Sequence, residues 1–306
     1  MSNTELLVSV NNEETEMAPK IVDKLIRDAI DLHMHTAPDI YPRCLDDIEA
    51  ANQAKKAGMR AIVLKNHVTC TADRAQIARK VIDFPVFGGI VLNWGVGGLN
   101  PTAVANAIKL GAVEVWMPTV DAAHFLKDPG AVPMLTAGKR TLPRGISILD
   151  NVGNLIDELS LILEMIADHD LILATGHLAL EESIVLIKTA AKTGANKLVV
   201  THPEASFLDP PLELLKEFVQ YGALIEHVYA YCTSIARRMV SPEKIATMIE
   251  SIGVENIIMA SDGGQRVNPP PVEMFKRFMG KMLENGISED EIRVMTHENP
   301  AKLLGS

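Results

Sequence analysis

Eight short apolar runs, each separated from the next by a longer segment, divide the chain from residue 29 onward. They are Ala29–His33, Ala61–Lys65, Val86–Leu92, Val113–Met117, Leu171–Thr175, Lys197–Thr201, Ala223–His227 and Ile257–Ser261. Between them, Leu45–Lys56, Ala72–Ile82, Pro101–Leu110, Asn154–Ala167, Leu180–Thr193, Pro211–Tyr221 and Ser241–Ile252 carry helical periodicity. Gly58, Gly111, Gly194 and Gly253 stand where several of these segments should stop. The repeated order of helix, glycine stop and buried strand predicts parallel strands joined by helices, and eight units suit an α/β chain closed as a (β/α)8 TIM barrel, regular or distorted. A doubly wound open sheet has the same local periodicity, so closure has to be argued from chemistry.

With 306 residues the chain is long enough for two domains, but the eight units leave no room for a second. The expected organisation is a polar leader over residues 1–20 and a single barrel domain over 21–306. The leader lacks the basic start and apolar run of an export signal, and no stretch reaches the roughly 18 apolar residues of a membrane span. Three cysteines, Cys44, Cys70 and Cys232, form no even framework, so a reducing, cytoplasmic setting is expected. A net charge of −10 disfavours nucleic acid and leaves a small molecule as the expected partner, with homo-oligomer formation expected on base rates. Methionines such as Met274, Met279 and Met282 fall at helix or strand spacing and read as core. The long connection Val120–Arg144, with Pro129, Pro133 and Pro143, is a candidate lid.

Six of the nine histidines, His33, His35, His67, His177, His202 and His227, fall at or just past the ends of predicted strands. In a parallel barrel those ends share one rim, where such barrels carry their functional groups. In Asp31-Leu32-His33-Met34-His35, residues two apart on a strand face one side, so two imidazoles can point together at a borderline divalent metal. His227 is either a substrate contact or, the favoured reading, a structural strand histidine with the Glu226 carboxylate on the opposite side of the sheet. Lys65 ends the second strand and shares a face with His67. A lysine on an inner face is costly unless paired or neutralised, so Lys65 is a candidate functional group, with an ion pair to Asp262 as the structural alternative.

Thr175-Gly176-His177, Thr201-His202-Pro203-Glu204 and Ser261-Asp262-Gly263-Gly264 follow the fifth, sixth and eighth strands. With the His-x-His of the first strand, this order resembles the amidohydrolase superfamily, and Glu298–Gly305 is similar to its terminal helix motif. The resemblance implies metal ligation by His33, His35, His177 and Asp262, with His202 holding a second metal or acting in catalysis. It implies one or two divalent ions, Zn2+ first, with Mn2+ or Fe2+ suited to the same ligands. The fourth strand, Val113-Glu114-Val115-Trp116-Met117, lacks the bridging lysine of the best-known binuclear members, which leaves Lys65 as a carbamylated bridge or a cation facing substrate. The expected chemistry is cleavage of an amide, lactone or ester bond of a small anionic molecule by metal-activated water. Asp262 is then the proton shuttle and His202 or Lys65 stabilises the oxyanion.

Arg43, His67 and Asn93 are the candidate substrate contacts, Arg266 is a further rim cation, and Trp94 is a candidate pocket wall. His67 also makes the chain resemble PHP phosphoesterases, although Asp262-Gly263-Gly264 replaces their late Asp-x-His. A phosphoesterase is therefore one alternative, and a metal-binding barrel without catalysis is another.

Overall fold

The computed structural model describes residues 20–128, 144–236 and 238–305. The expected leader, apart from Lys20, lies outside the described residues, as does the stretch 129–143 of the expected lid. Eight strands follow one another: β1 (Ile30–His35), β2 (Ala61–Lys65), β3 (Val86–Val91), β4 (Glu114–Trp116), β5 (Ile172–Ala174), β6 (Leu198–Thr201), β7 (Ala223–Val228) and β8 (Ile257–Ala260). All pair in parallel in the order β1 to β8. The ring is brought round at the β1/β8 seam, where Met34 and Gly263 form a parallel bridge and His35 N donates to Gly263 O at 2.8 Å. The fold is thus a (β/α)8 barrel, nearly closed, and the open doubly wound alternative is set aside.

The helices are α1 (Asp47–Ala57), α2 (Ala72–Ile82), α3 (Pro101–Lys109), α4 (Asp157–Asp168), α5 (Leu180–Thr193), α6 (Leu212–Gln220), α7 (Pro242–Ile252), α8 (Pro271–Glu284), α9 (Glu289–Arg293) and α10 (Asn299–Leu304). Their ends follow local chemistry. Asp46 and Glu49 form a reciprocal capping box at the start of α1, and Gly58 ends it in the left-handed region. Asn100 caps α3 with proline in its first turn, and Ser241 does the same for α7. Helix α8 is absent from the sequence reading, although its buried Met274, Phe275, Phe278, Met279 and Met282 agree with the expected role of those methionines. Among the described residues no helix is long and apolar enough to cross a membrane.

Two apolar layers result. The larger lies between strands and helices; the smaller fills the barrel with Ile30, Leu32, Val63, Trp116, Ile172, Val199 and Ile258. Ala301 and Leu303 of α10 join the inner layer, and Asn299 Nδ2 donates to Ile257 O at 2.7 Å and Val254 O at 2.9 Å, so the last helix stoppers the end away from the cavity.

Strand β1 changes phase midway. Ile30 and Leu32 belong to the inner layer, which by strict alternation would turn His33 outward. The register against β2 shifts between Asp31 and Met34, and beyond the shift Met34 packs in the outer layer while His33 and His35 face the cavity. An irregularity of this kind re-aims side chains.

Replacing Asn299 by Ala strips one buried and one partly buried carbonyl of a donor and should cost roughly 1–3 kcal/mol, read as a lower urea midpoint with unchanged slope. His297, in the π turn Val294–Glu298, donates from Nε2 to Arg27 O at 2.8 Å, and burial lowers its pKa. Its neutral form is the folded form, so its contribution to stability is present above the unfolded value near 6.5 and is lost as pH falls. The thermal-midpoint advantage of the wild type over His297→Gln should therefore shrink from pH 7.5 to pH 5.5; a constant difference would contradict it.

Candidate active site

At the C-terminal rim lies a cavity of about 570 Å³, within the range of small-molecule sites. His33, His35, Lys65, His67, His177, His202, Asp262 and Arg43 all line it. Asn93 does not. It is fully buried behind the rim, donating from Nδ2 to His67 O at 3.0 Å and Thr119 Oγ1 at 2.7 Å, while Oδ1 accepts from Thr119 N at 2.8 Å. Its amide braces the loops after β2 and β4, and the expected substrate contact is corrected to a scaffold role. Trp94 is likewise off the cavity, 38% exposed, with its indole N–H donating to Arg144 O at 3.0 Å.

Three donors converge. His33 Nε2 and His35 Nε2 lie 3.3 and 3.2 Å from Asp262 Oδ1. The group holds a ligand atom from each residue, all within 4.8 Å of one another. His202 (φ 28°) and Asp262 (φ 44°) occupy the left-handed region, as Asp28, Asp83, Asp170 and Asp209 do elsewhere in the chain. Gly264 permits the close packing that follows, because a Cβ there would collide with the carbonyl oxygen of His35. Gly176 plays the same part before His177, against the carbonyl of Met117.

Burial sets the charges. Desolvation holds His33 and His202 down at about 3, and His35, His67 and His177 well below the ordinary histidine value. All five are neutral at physiological pH, the form in which imidazole ligates metal. Glu226 is pushed up to about 8 by burial against the opposing pull of Lys65, and burial also raises Glu114. Lys65, 1% exposed, is lowered by burial and partly restored by Asp262, Glu226 and Glu114. Among the described residues it forms no salt bridge; its ammonium donates to His33 Nε2 at 3.0 Å and lies 5.2 Å from the Trp116 ring centroid. The structural alternative, a direct pair with Asp262, is not formed.

The two histidines of β1 are held in opposite ways. The Lys65 ammonium can only donate, so His33 Nε2 accepts from it and the ring hydrogen sits on Nδ1, 3.2 Å from both oxygens of Glu226. His35 Nδ1 accepts from Arg43 at 3.1 Å, because a guanidinium can only donate, and this puts the ring hydrogen on Nε2. Arg43 is held in turn by Asp39 at 2.8 Å.

The donor chemistry fits a divalent cation: neutral imidazoles beside a carboxylate, with His177 Nδ1 and His202 Nδ1 buried and without a hydrogen-bond partner among the described residues. Those two rings lie 5.0 Å apart. Asp31 Oδ2, Glu114 Oε2, Trp116 Nε1 and His227 Nε2 are buried and unpartnered in the same way.

Sequence reasoning missed Glu226, which lies inside the barrel against His33, while His227 pairs with Glu204 at 3.0 Å. The expectation that these neighbours face opposite ways holds; the carboxylate, not the imidazole, meets the site. Also missed is an aromatic wall. Phe125 lies 4.8 Å and Phe207 5.0 Å from the His177 ring, and Tyr231 lies 5.0 Å from that of His202. Tyr231 follows β7 directly, a position that marks rim residues; the two phenylalanines sit in connections with no periodic signal.

Residues 28–226 match the model of a family of unknown function, DUF6282, and the chain belongs to that family. No curated protein matches the sequence. Among solved structures the chain is similar to an amidohydrolase from Pseudomonas aeruginosa, at 12% identity over 94% of this chain and 98% of that one, with a TM-score of 0.60. It is similar to a phosphotriesterase homology protein from Escherichia coli complexed with phosphate in its active site, at 12% identity over 90% and 98%, TM-score 0.55. A 2,6-dihydroxybenzoate decarboxylase aligns at 10% identity over 92% and 100%, TM-score 0.52. These likenesses establish the barrel fold that the strand-end motifs resembled.

Because Arg43 holds His35 in the tautomer that hides the Nε2 lone pair, weakening that contact should help a cation bind. Arg43→Met keeps the apolar stem and removes the donor, which Lys would not. It is expected to tighten zinc binding by up to about tenfold, the scale of contacts that act through a ligand, in chelator competition. Equal or weaker binding would count against this account.

Proposed function

We propose that this chain is a metal-dependent hydrolase of the amidohydrolase type, cleaving an amide, lactone or ester bond of a small anionic molecule. The observation that carries the reading is the cluster of His33, His35 and Asp262 on the wall of the rim cavity, with its imidazoles held neutral. His33, His35 and Asp262 hold one divalent ion, and His177 and His202 contribute to it or to a second; zinc suits them, as do manganese and iron. The ion, when bound, makes water a nucleophile near neutral pH.

The chain's own groups do the rest. Asp262, 13% exposed at its side chain, has one oxygen toward the two β1 histidines and can take a proton from the attacking water and return it to the leaving group. Lys65 presents a cation at the cavity wall where charge develops on the substrate oxygen, and His202 stands close by. The ammonium form of Lys65 is favoured over a carbamate, because Glu226, Glu114 and Asp262 already surround it with acid groups. Arg266 at the exposed lip, with Arg43, draws an anion inward, and Val120, Phe125, Tyr231 and Ile235 exclude water from its apolar part.

The test is a panel of carboxylate-bearing amides, lactones and esters beside phosphomonoesters, assayed with added zinc or manganese. Turnover is expected on the first group, with Asp262→Asn lowering kcat by about 10²- to 10⁴-fold. Wild-type protein purified without chelator should carry transition metal that His33→Ala, His35→Ala lacks. Preferential turnover of phosphomonoesters would favour a phosphoesterase, and metal content unchanged in the double variant would overturn the site.

A further inference from the structure

We propose that Glu226 is a positioning residue for the metal site: it holds the Nδ1 hydrogen of His33 so that Nε2 faces Asp262, and thereby sets the affinity of the site for a divalent ion. This rests on the reading of the His33, His35 and Asp262 cluster given above.

Glu226 reaches His33 from β7, with both carboxylate oxygens 3.2 Å from Nδ1, so the ring nitrogen bisects the carboxylate. The geometry leaves His33 one tautomer and restrains rotation of the ring. The residue is 1% exposed, and its register partners Thr201 and Ile258 carry no charge. Burying an acid is unfavourable unless it is engaged, and Glu226 is engaged in two ways: by the charge of the buried Lys65 and by its contact with His33.

Glu204 supplies the contrast within the same molecule. It too is buried and pairs with a histidine, His227, but its second oxygen accepts from the backbone N–H of Val228 at 2.7 Å. Glu204 ties a loop to a strand. The side-chain bonds of Glu226 run to His33 alone among the described residues. His35 supplies the second contrast, since its Nδ1 faces the guanidinium of Arg43 in place of a carboxylate. The two imidazoles of β1 are therefore backed differently, and an ion at His33 Nε2 takes the place of the Lys65 ammonium that donates there.

The experiment uses the full chain, stripped of metal, with Zn2+ titrated in competition with a chromophoric chelator and Co2+ as a spectroscopic probe. Glu226→Ala is expected to weaken zinc binding by about 10- to 100-fold, and Glu226→Gln by less, because its amide oxygen can still accept from Nδ1–H. The Co2+ absorption bands should shift in both. Glu226→Gln also takes an acid away from the buried Lys65, so its metal-free thermal midpoint is measured beside its zinc affinity, and the affinity is read only on folded protein. Glu204→Gln should lower the midpoint and leave zinc affinity unchanged. In a His33→Ala background, Glu226→Gln should have no further effect on residual binding. Wild-type binding with affinity within about twofold in both Glu226 variants, less than the smallest loss expected of an outer contact, would overturn the positioning role alone. A wild-type chain that binds no zinc would overturn the site reading and this role with it.

Discussion

A cation buried among carboxylates and imidazoles is the constraint around which the cavity is organised. Lys65, on the inner face of β2, has almost no contact with water, and an ammonium removed from water is stable only where other groups replace hydration. Here the replacements come from across the barrel: the Nε2 of His33 accepts from it, the face of Trp116 lies within cation–π distance, and Asp262 first among the nearby acids opposes its neutralisation, while burial holds Glu226 and Glu114 toward their protonated forms. Four strands contribute before β2 is counted. Only a structure that turns parallel strands inward to a common axis brings such groups together without long side-chain excursions, so the electrostatics and the barrel explain each other.

Much of this is written locally in the chain. The strand runs, the glycine stops and the histidines at strand ends are short-range signals, and each has a mechanism that does not depend on tertiary packing. Lys65 was singled out because a lysine at an inward strand position needs a reason. What could not be read is what depends on phase or on distant partners. Alternation counted from Ile30 turns His33 the wrong way, and only the irregularity against β2 restores it, a feature set by pairing rather than by composition. Glu226 and His227 differ by one position, so deciding which enters the barrel requires the register of β7. Asn93 looked available to a ligand because sequence does not show that its amide is already engaged by Thr119 and His67.

The contrast between the two β1 histidines narrows what the cavity wall is built to do. A chelating pair with identical surroundings would respond to a bound ion as a unit. Here one ring is backed by an acid and the other by a base held by Asp39, so the pair is graded. His202 and Asp262, just past the ends of β6 and β8, turn through the left-handed region on the same rim.

Lys65 and Arg43 each donate to a ring nitrogen of the β1 pair, so both imidazoles are hydrogen-bonded by the chain's own groups. On the reading proposed above, an ion reaching His33 Nε2 would exchange places with an ammonium and not fill an empty position, so the affinity of the site would be a difference between two partners for one nitrogen.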